Sequence, residues 1–275
     1  MCELLGIVRS SYYYGTKAKL INIEAIKLKA LVRQIFNDSN GSAGTRTIVA
    51  ILWYQHGVRL TRYRAGKLMK RMGLKSCQLK QHRYKHCDEV HKVHDNTLGR
   101  KFSPTAPNQV WTGDVTYIRI KGGWCYLAIV LDLYARRIVG FAVSDSPNSL
   151  LTGTALKMAY HTRLNPINVM FHSDQGRHYT SQEFSSYMKE CGDMTHSMSR
   201  RGNCWDNAPT ERFFRSFKTE WMPKGGYKDI AQAKYALTDY IWGYYQTIRP
   251  HTFNNYLTPV EKEKHYYNKN LLTVV

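Results

Sequence analysis

Acidic residues are scarce in this chain of 275 residues: 20 Asp and Glu stand against 40 Lys and Arg, for a net charge of +20. Such an imbalance disfavours cationic partners and favours a polyanion, attracted at long range and held by counterion release, with nucleic acid the first candidate. Long apolar runs are also missing, since none approaches the roughly 18 residues that a spanning helix requires. The opening MCELLGIVRSSYYYG lacks the basic start and cleavage site of a signal peptide. Both absences lead us to expect a cytoplasmic protein with no membrane partner. Cysteine is sparse and scattered (Cys2, Cys77, Cys87, Cys125, Cys191, Cys204), which excludes the disulfide framework of a small secreted fold and predicts reduced thiols. There is no internal repeat and no low-complexity tract.

What is present is unevenly placed. Residues 1–101 carry 20 basic against 6 acidic side chains, whereas 102–275 carry 20 against 14, so the front of the chain is the expected docking surface. The opening segment has the spacing of a helix fragment that ends in a tyrosine cluster. IEAIKLKALVRQIFNDSNG has the three- and four-residue spacing of an amphipathic helix over about 23–37. GTRTIVAILWYQHG and LTRYRAGKLMKRMG predict two short helices, with Thr61 capping the second and Gly73 ending it, in a helix-turn-helix arrangement. In that second helix Leu68 and Met69 are read as core-facing. Arg62, Arg64, Lys67, Lys70 and Arg71 are left for phosphates or a major groove, or, alternatively, for a solvated basic face.

Residues 75–105 form a polar, basic connector without clean periodicity. It gathers Cys77, His82, His86, Cys87, His91 and His94, a set that could supply a zinc site. The spacing matches no finger pattern, and adjacent His86 and Cys87 are awkward ligands, so a basic linker is the favoured reading. Past Pro107 three β-rich runs follow, joined at Gly122–Gly123 and Ala135–Arg136, which predicts sequential antiparallel strands. A helix over 150–161, a strand INVMFH, a helix near 181–191, a strand MTHSMS and a helix from about Ala208 complete an α/β pattern, a mixed sheet with helices on its faces. The tail adds one aromatic-rich helix and a Pro-bounded loop.

Three acids sit where structural carboxylates seldom do: Asp114 inside the first strand, Asp174 just after INVMFH, and Glu211 early in a helix. Buried, converging carboxylates repel and raise a pKa until a cation compensates. Hard oxygen ligands with a phosphate-bearing partner favour Mg²⁺ or Mn²⁺, two such ions being able to serve an attacking and a leaving oxygen. Taken singly, each acid also has a structural reading as a turn residue or a helix-dipole partner. Asp132, Asp145 and Asp206 compete.

The stretches WTGDVTYI, HSDQGRHYTSQEF and RRGNCWDNAPTERFFRSFKTE, in that order, resemble the signatures of DDE insertion-sequence transposases, specifically the second-frame (OrfB-type) proteins with a retroviral-integrase core. YYQTIRPHTFNNYLTP resembles their C-terminal signature, so the likeness spans essentially the whole chain. It implies that Asp114, Asp174 and Glu211 are the catalytic metal ligands, met on an RNase H-like fold. The 36 residues between Asp174 and Glu211 exceed the family's usual interval by one, a difference placed in CGDMTHSMS. It also implies metal-dependent cleavage at element ends and strand transfer into target DNA, on a homodimer or higher oligomer. Association with the bacterial nucleoid, and an upstream-frame protein or fusion segment as a further partner, follow from the same likeness.

Arg200, Arg201, Arg212, Arg215 and Lys218 are candidate phosphate contacts around the core, and Trp205 a candidate to stack on an unpaired base. Phe213, Phe214 and Phe217 read as core. The expected organisation is a helical, helix-turn-helix region over 1–74, a basic linker over 75–106, an integrase-like core over 107–222 and a helical extension over 223–275. Two other activities fit the residues: a nuclease of the RNase H class that cuts without joining, and a non-catalytic DNA-binding regulator. Neither the terminal repeat nor the target sequence recognised is encoded legibly.

Overall fold

A computed structural model describes residues 2–11, 22–77, 94–201 and 203–272. The tyrosine cluster at 12–14 and His82, His86, Cys87 and His91 of the candidate zinc set lie outside the described residues. No described helix is long and apolar enough to cross a membrane.

Three helices come first, α1 (Ile23–Asp38), α2 (Thr45–His56) and α3 (Arg62–Arg71). Their ends follow local chemistry. The Asn22 side chain accepts the Ala25 N–H, the Thr61 hydroxyl accepts the Arg64 N–H, and Gly57 takes the left-handed conformation that ends α2. Val32, Ile35, Ile48, Ile51, Leu52 and Met69 bury a small core between them. In α3 the buried pair is Ala65 and Met69, with Leu68 only half-buried, because a three- to four-residue period selects 65 with 69 rather than the adjacent 68 and 69. Arg62, Arg64, Lys67, Lys70 and Arg71 are all exposed.

The strands β1 (Val110–Ile120), β2 (Gly123–Asp132) and β3 (Arg137–Ser144) form the expected antiparallel meander. Then come α4 (Ser149–Thr162), β4 (Met170–Ser173), a single turn α5 (Arg177–Thr180), α6 (Gln182–Glu190), β5 (Thr195–Met198) and α7 (Ala208–Glu220). The sheet order is β3-β2-β1-β4-β5, with β4 parallel to both β1 and β5. Both faces are covered, and the alternation along β2 shows how. Cys125, Leu127, Ile129 and Leu131 pack toward α7 and the tail, while Ala128 and Val130 join the cluster formed with α4 and α6.

The tail departs from expectation. One aromatic-rich helix, α8 (Ile230–Thr238), runs on into a π-helical segment Asp239–Tyr245, and a further helix, α9 (Pro259–Leu272), begins at the proline expected to bound a loop. Proline tolerates a first helical turn, and Thr258 and Glu261 close a capping box: the Thr258 N–H donates to Glu261 and the Glu261 N–H to the Thr258 hydroxyl. α9 is fastened to the core by buried charge. Arg163 donates to Asp132, Glu263 and Asn108 at 2.7–2.8 Å, and Arg137 also pairs with Glu263.

Arg163→Ala leaves the buried carboxylates of Asp132 and Glu263 short of a partner. We expect a loss of about 3–5 kcal/mol, read as a lower midpoint in urea unfolding. An unchanged midpoint would mean that these charges do not hold α9.

Candidate active site

Helix α7 is fixed before its first turn is complete. A 3₁₀ turn, Cys204–Asn207, leads into it, Pro209 occupies its start, and Phe213, Phe214 and Phe217 are buried against the sheet. Polar contacts then set its position along β1. The hydroxyls of Thr112 and Thr210 lie 2.7 Å apart, the Thr210 hydroxyl donates to Asn207 Oδ1, and Asn207 Nδ2 donates to the Gly113 carbonyl. Glycine is required at 113, since a Cβ there would meet Phe171 at 2.4 Å. Asp114 follows and shares its alternate set along β1 with Thr112 and Ile118, the set that faces α7. Glu211 follows Thr210 on the helix.

Asp174 reaches the same place through sheet register. In the parallel β1/β4 pair Thr112 is opposite His172, the last pair of the ladder; Asp114 lies two residues further along β1, and Asp174 two residues further along the other chain, just past the end of β4. The segment after β4 is held from several sides. The Gly176 N–H donates to Asp174 Oδ1 at 3.0 Å, and Gln175 Nε2 donates to the Ser199 carbonyl. The buried His172 ring lies between the hydroxyls of Ser197 and Ser199.

The electrostatics record this convergence. The Asp114 carboxyl is raised well above the usual range by burial, then by the charge of Asp174, with Glu211 adding to it; the Val115 N–H, 2.7 Å from Oδ1, opposes the rise. For both Asp114 and Asp174 the one hydrogen bond among the described residues comes from nearby backbone and uses Oδ1. Lys218, two turns beyond Glu211, lies over the Tyr117 ring at 4.2 Å, and burial lowers its pKa while Asp114 raises it. Among the described residues no three His, Cys, Asp or Glu are drawn into a finished ion-binding group. Asp174 and Glu211 both belong to the electrostatic neighbourhood of Asp114 without closing a cage.

The competing acids are occupied elsewhere. Asp132 accepts from Arg163 and from the N–H groups of Asn108 and Tyr134. Asp206 is buried and accepts from Arg100, from Asn96 and from Arg200 through both backbone and guanidinium, which holds its carboxyl far below the ordinary range. Asp145 is an exposed residue bonded by its neighbour Ser144.

Of the candidate DNA contacts, Arg201, Arg212 and Arg215 are exposed, and Trp205 is 69% exposed. Arg200 shares its guanidinium with Asp206, and Lys218 is directed to Tyr117 and the acids. Sequence reasoning missed Thr112, Asn207 and Thr210, the residues that fix α7 to β1. Their signal lay in the motifs themselves, one residue from Gly113 in WTGD and within four of Glu211 in NAPTE.

An Integrase core domain family model matches residues 104–204, a second of the same description matches 192–259, and an HTH-like domain model matches 24–83. The chain is 32% identical over 273 residues to the insertion element IS600 uncharacterized 31 kDa protein of Shigella sonnei, covering 97% of this chain and 98% of that one. It is 46% identical over 166 residues to the putative transposase InsO for insertion sequence element IS911B of Escherichia coli, covering 60% and 82%. To the transposase for insertion sequence element IS904 of Lactococcus lactis it is 33% identical over 245 residues, covering 88% and 96%. A chain in the structure of a simian T-cell lymphotropic virus intasome superposes with TM-score 0.50 at 14% identity, over 84% of this chain and 72% of that one, which speaks for a shared fold.

Two outcomes test the framework of the site. Asp206→Asn removes the charge that pairs with Arg100 and Arg200 and turns one of its two acceptor oxygens into a donor, and we expect a loss of about 2–3 kcal/mol in stability, read by thermal unfolding; an unaltered transition would free the Asp206 cluster of that role. Burial depresses the His172 pKa to about 4, so the fold holds the ring neutral while the unfolded chain takes up a proton below about pH 6.5. The stability due to the neutral ring is complete above that pH, falls by about 1.4 kcal/mol per pH unit on acidification, and levels off near the folded pKa. His172→Asn should flatten this slope in unfolding measurements across pH 7 to 4.

Proposed function

Because this chain belongs to the insertion-element transposases with an integrase core, we propose that it cuts DNA at the ends of an element and joins them to target DNA, with Asp114, Asp174 and Glu211 carrying the chemistry. The observation that supports this reading most is the parallel pairing of β1 with β4, which ends two residues before Asp114 and Asp174, on the sheet covered by the helix that bears Glu211.

The donor set suits a hard divalent cation. Each aspartate uses Oδ1 for backbone, and no described donor reaches its Oδ2; burial and mutual repulsion raise Asp114, a strain that a cation relieves. Mg²⁺ or Mn²⁺, two ions when fully loaded, would supply positive charge to the entering and departing oxygens of an in-line displacement at phosphorus. Asp114 would hold the ion from β1, Asp174 from the turn after β4, and Glu211 from α7. Lys218 tempers the repulsion around Asp114.

In the first step a water oxygen bonds to phosphorus at the element end, the bond to the 3′-oxygen breaks, and that oxygen departs as a 3′-hydroxyl after gaining a proton. In the second, this hydroxyl loses its proton and bonds to a target phosphorus, releasing the target's own 3′-oxygen. One P–O bond forms for each that breaks, with no covalent link to protein. The exposed cations of α3 suit phosphates of the terminal repeats. Joining two ends requires both in one complex, hence at least two protomers, and an upstream-frame segment is a fitting source of a further DNA-binding module.

Asp174→Asn and Glu211→Gln should each cut Mg²⁺-dependent cleavage of an element-end duplex by on the order of a thousand-fold while leaving DNA affinity in place. Cleavage that survives both changes would remove the acids from the mechanism. Pre-cut ends that yield no joined product would reduce the activity to that of a nuclease.

A further inference from the structure

A groove of about 630 Å³ opens beside α7, on the helix side that carries Ala208, Arg212, Arg215 and Ser216. Its opposite wall is the RPHTF segment of the C-terminal signature, and Glu211 lies on its lining. The far wall is built firmly: Asn254 Nδ2 donates to the Ala135 carbonyl at 2.8 Å, and the His251 ring meets Tyr245 edge-on. This ties the segment to the β2–β3 corner, where Arg136 adopts the left-handed conformation, φ 58°.

Two properties distinguish this groove. It is cationic, with Arg136, Arg212, Arg215 and Arg249 against one acid, Glu211. Arg249 is neutralised by Glu220, whereas the hydrogen bonds of Arg136 go to backbone carbonyls. Arg136 is the more telling case. Its guanidinium is held by the carbonyls of Leu133 and Phe102, lies 3.7 Å over the Phe253 ring, and burial lowers its pKa to about 10. A guanidinium fixed by carbonyls and short of water favours an incoming anion. The groove also presents flat aromatic faces, since Trp205 is 69% and Phe253 43% exposed.

We propose that this groove seats one unpaired nucleotide of DNA, its base against Trp205 and Phe253 and its phosphate among Arg136, Arg212 and Arg215. The proposal rests on the DNA-processing reading above and assigns Phe253 and Arg136 a role within it. A volume in the range of small-molecule sites takes a nucleotide and not a duplex. Aromatic stacking requires a base freed from its helix. With Glu211 on the lining, the seated nucleotide adjoins the reacting phosphate and holds the strand end in place for it.

The test uses the full chain and fluorescence anisotropy with two labelled probes, an oligothymidine of about eight nucleotides and a small closed-circular duplex, which offers no unpaired nucleotide. Phe253→Ala and Arg136→Gln should each weaken oligothymidine binding about ten-fold, the value of one stacked base or one phosphate contact, while duplex affinity moves by less than about two-fold. Wild-type affinity for oligothymidine in Phe253→Ala, the variant that spares the buried arginine, would overturn the proposal and leave the transposase reading intact. Equal losses on both probes would also overturn it, as would a change in the sedimentation of DNA-free Phe253→Ala, which would make the groove a contact between copies. Wild-type protein that bound neither probe would refute the underlying reading and the groove together.

Discussion

The polar tie between Thr112, Asn207 and Thr210 decides where α7 stops along β1. The buried faces of Phe213, Phe214 and Phe217 supply attraction but little direction, because an apolar interface tolerates sliding far better than a set of hydrogen bonds does. In low dielectric each of these hydroxyl and amide groups is costly if left unmade, so a shift of the helix by one residue would strand several at once. The position of Glu211 relative to Asp114 is therefore fixed by neighbours that carry no charge.

Buried charge is distributed in two ways across the same sheet. Asp132 and Asp206 are saturated by arginines and backbone N–H groups and serve as fasteners, the first for α9 and the second for the chain leading into α7. Asp114 and Asp174 instead lie within reach of each other's charge with their second oxygens uncommitted among the described residues, and Asp114 carries the strain in its raised pKa. A fold stabilises the first kind of carboxylate for its own sake. The second kind costs stability, and a cation or a substrate repays it.

The C-terminal extension is built into this core as well as following it. Its aromatic residues Tyr240, Tyr244 and Tyr245 share a cluster with the phenylalanines of α7, and its RPHTF segment faces α7 across the groove that ends at Glu211. The helical front touches the same extension through the Tyr54 hydroxyl and Asn255, and through Gln55 and Ile248.

Local chemistry alone determined most of the elements: the Thr61 cap, the period-two strands around the Gly122–Gly123 turn, and the basic stripe of α3 were legible because each depends on residues a few positions apart. The motif order marked Asp114, Asp174 and Glu211 as candidates. Residue types alone left Asp132, Asp145 and Asp206 beside them, and α9 was concealed by a proline that in fact opens it. Only the tertiary structure decided which acids already had partners, which strand pairing brings Asp174 toward Asp114, and which polar groups held α7, because each answer depends on residues dozens of positions distant that meet only once the sheet has formed.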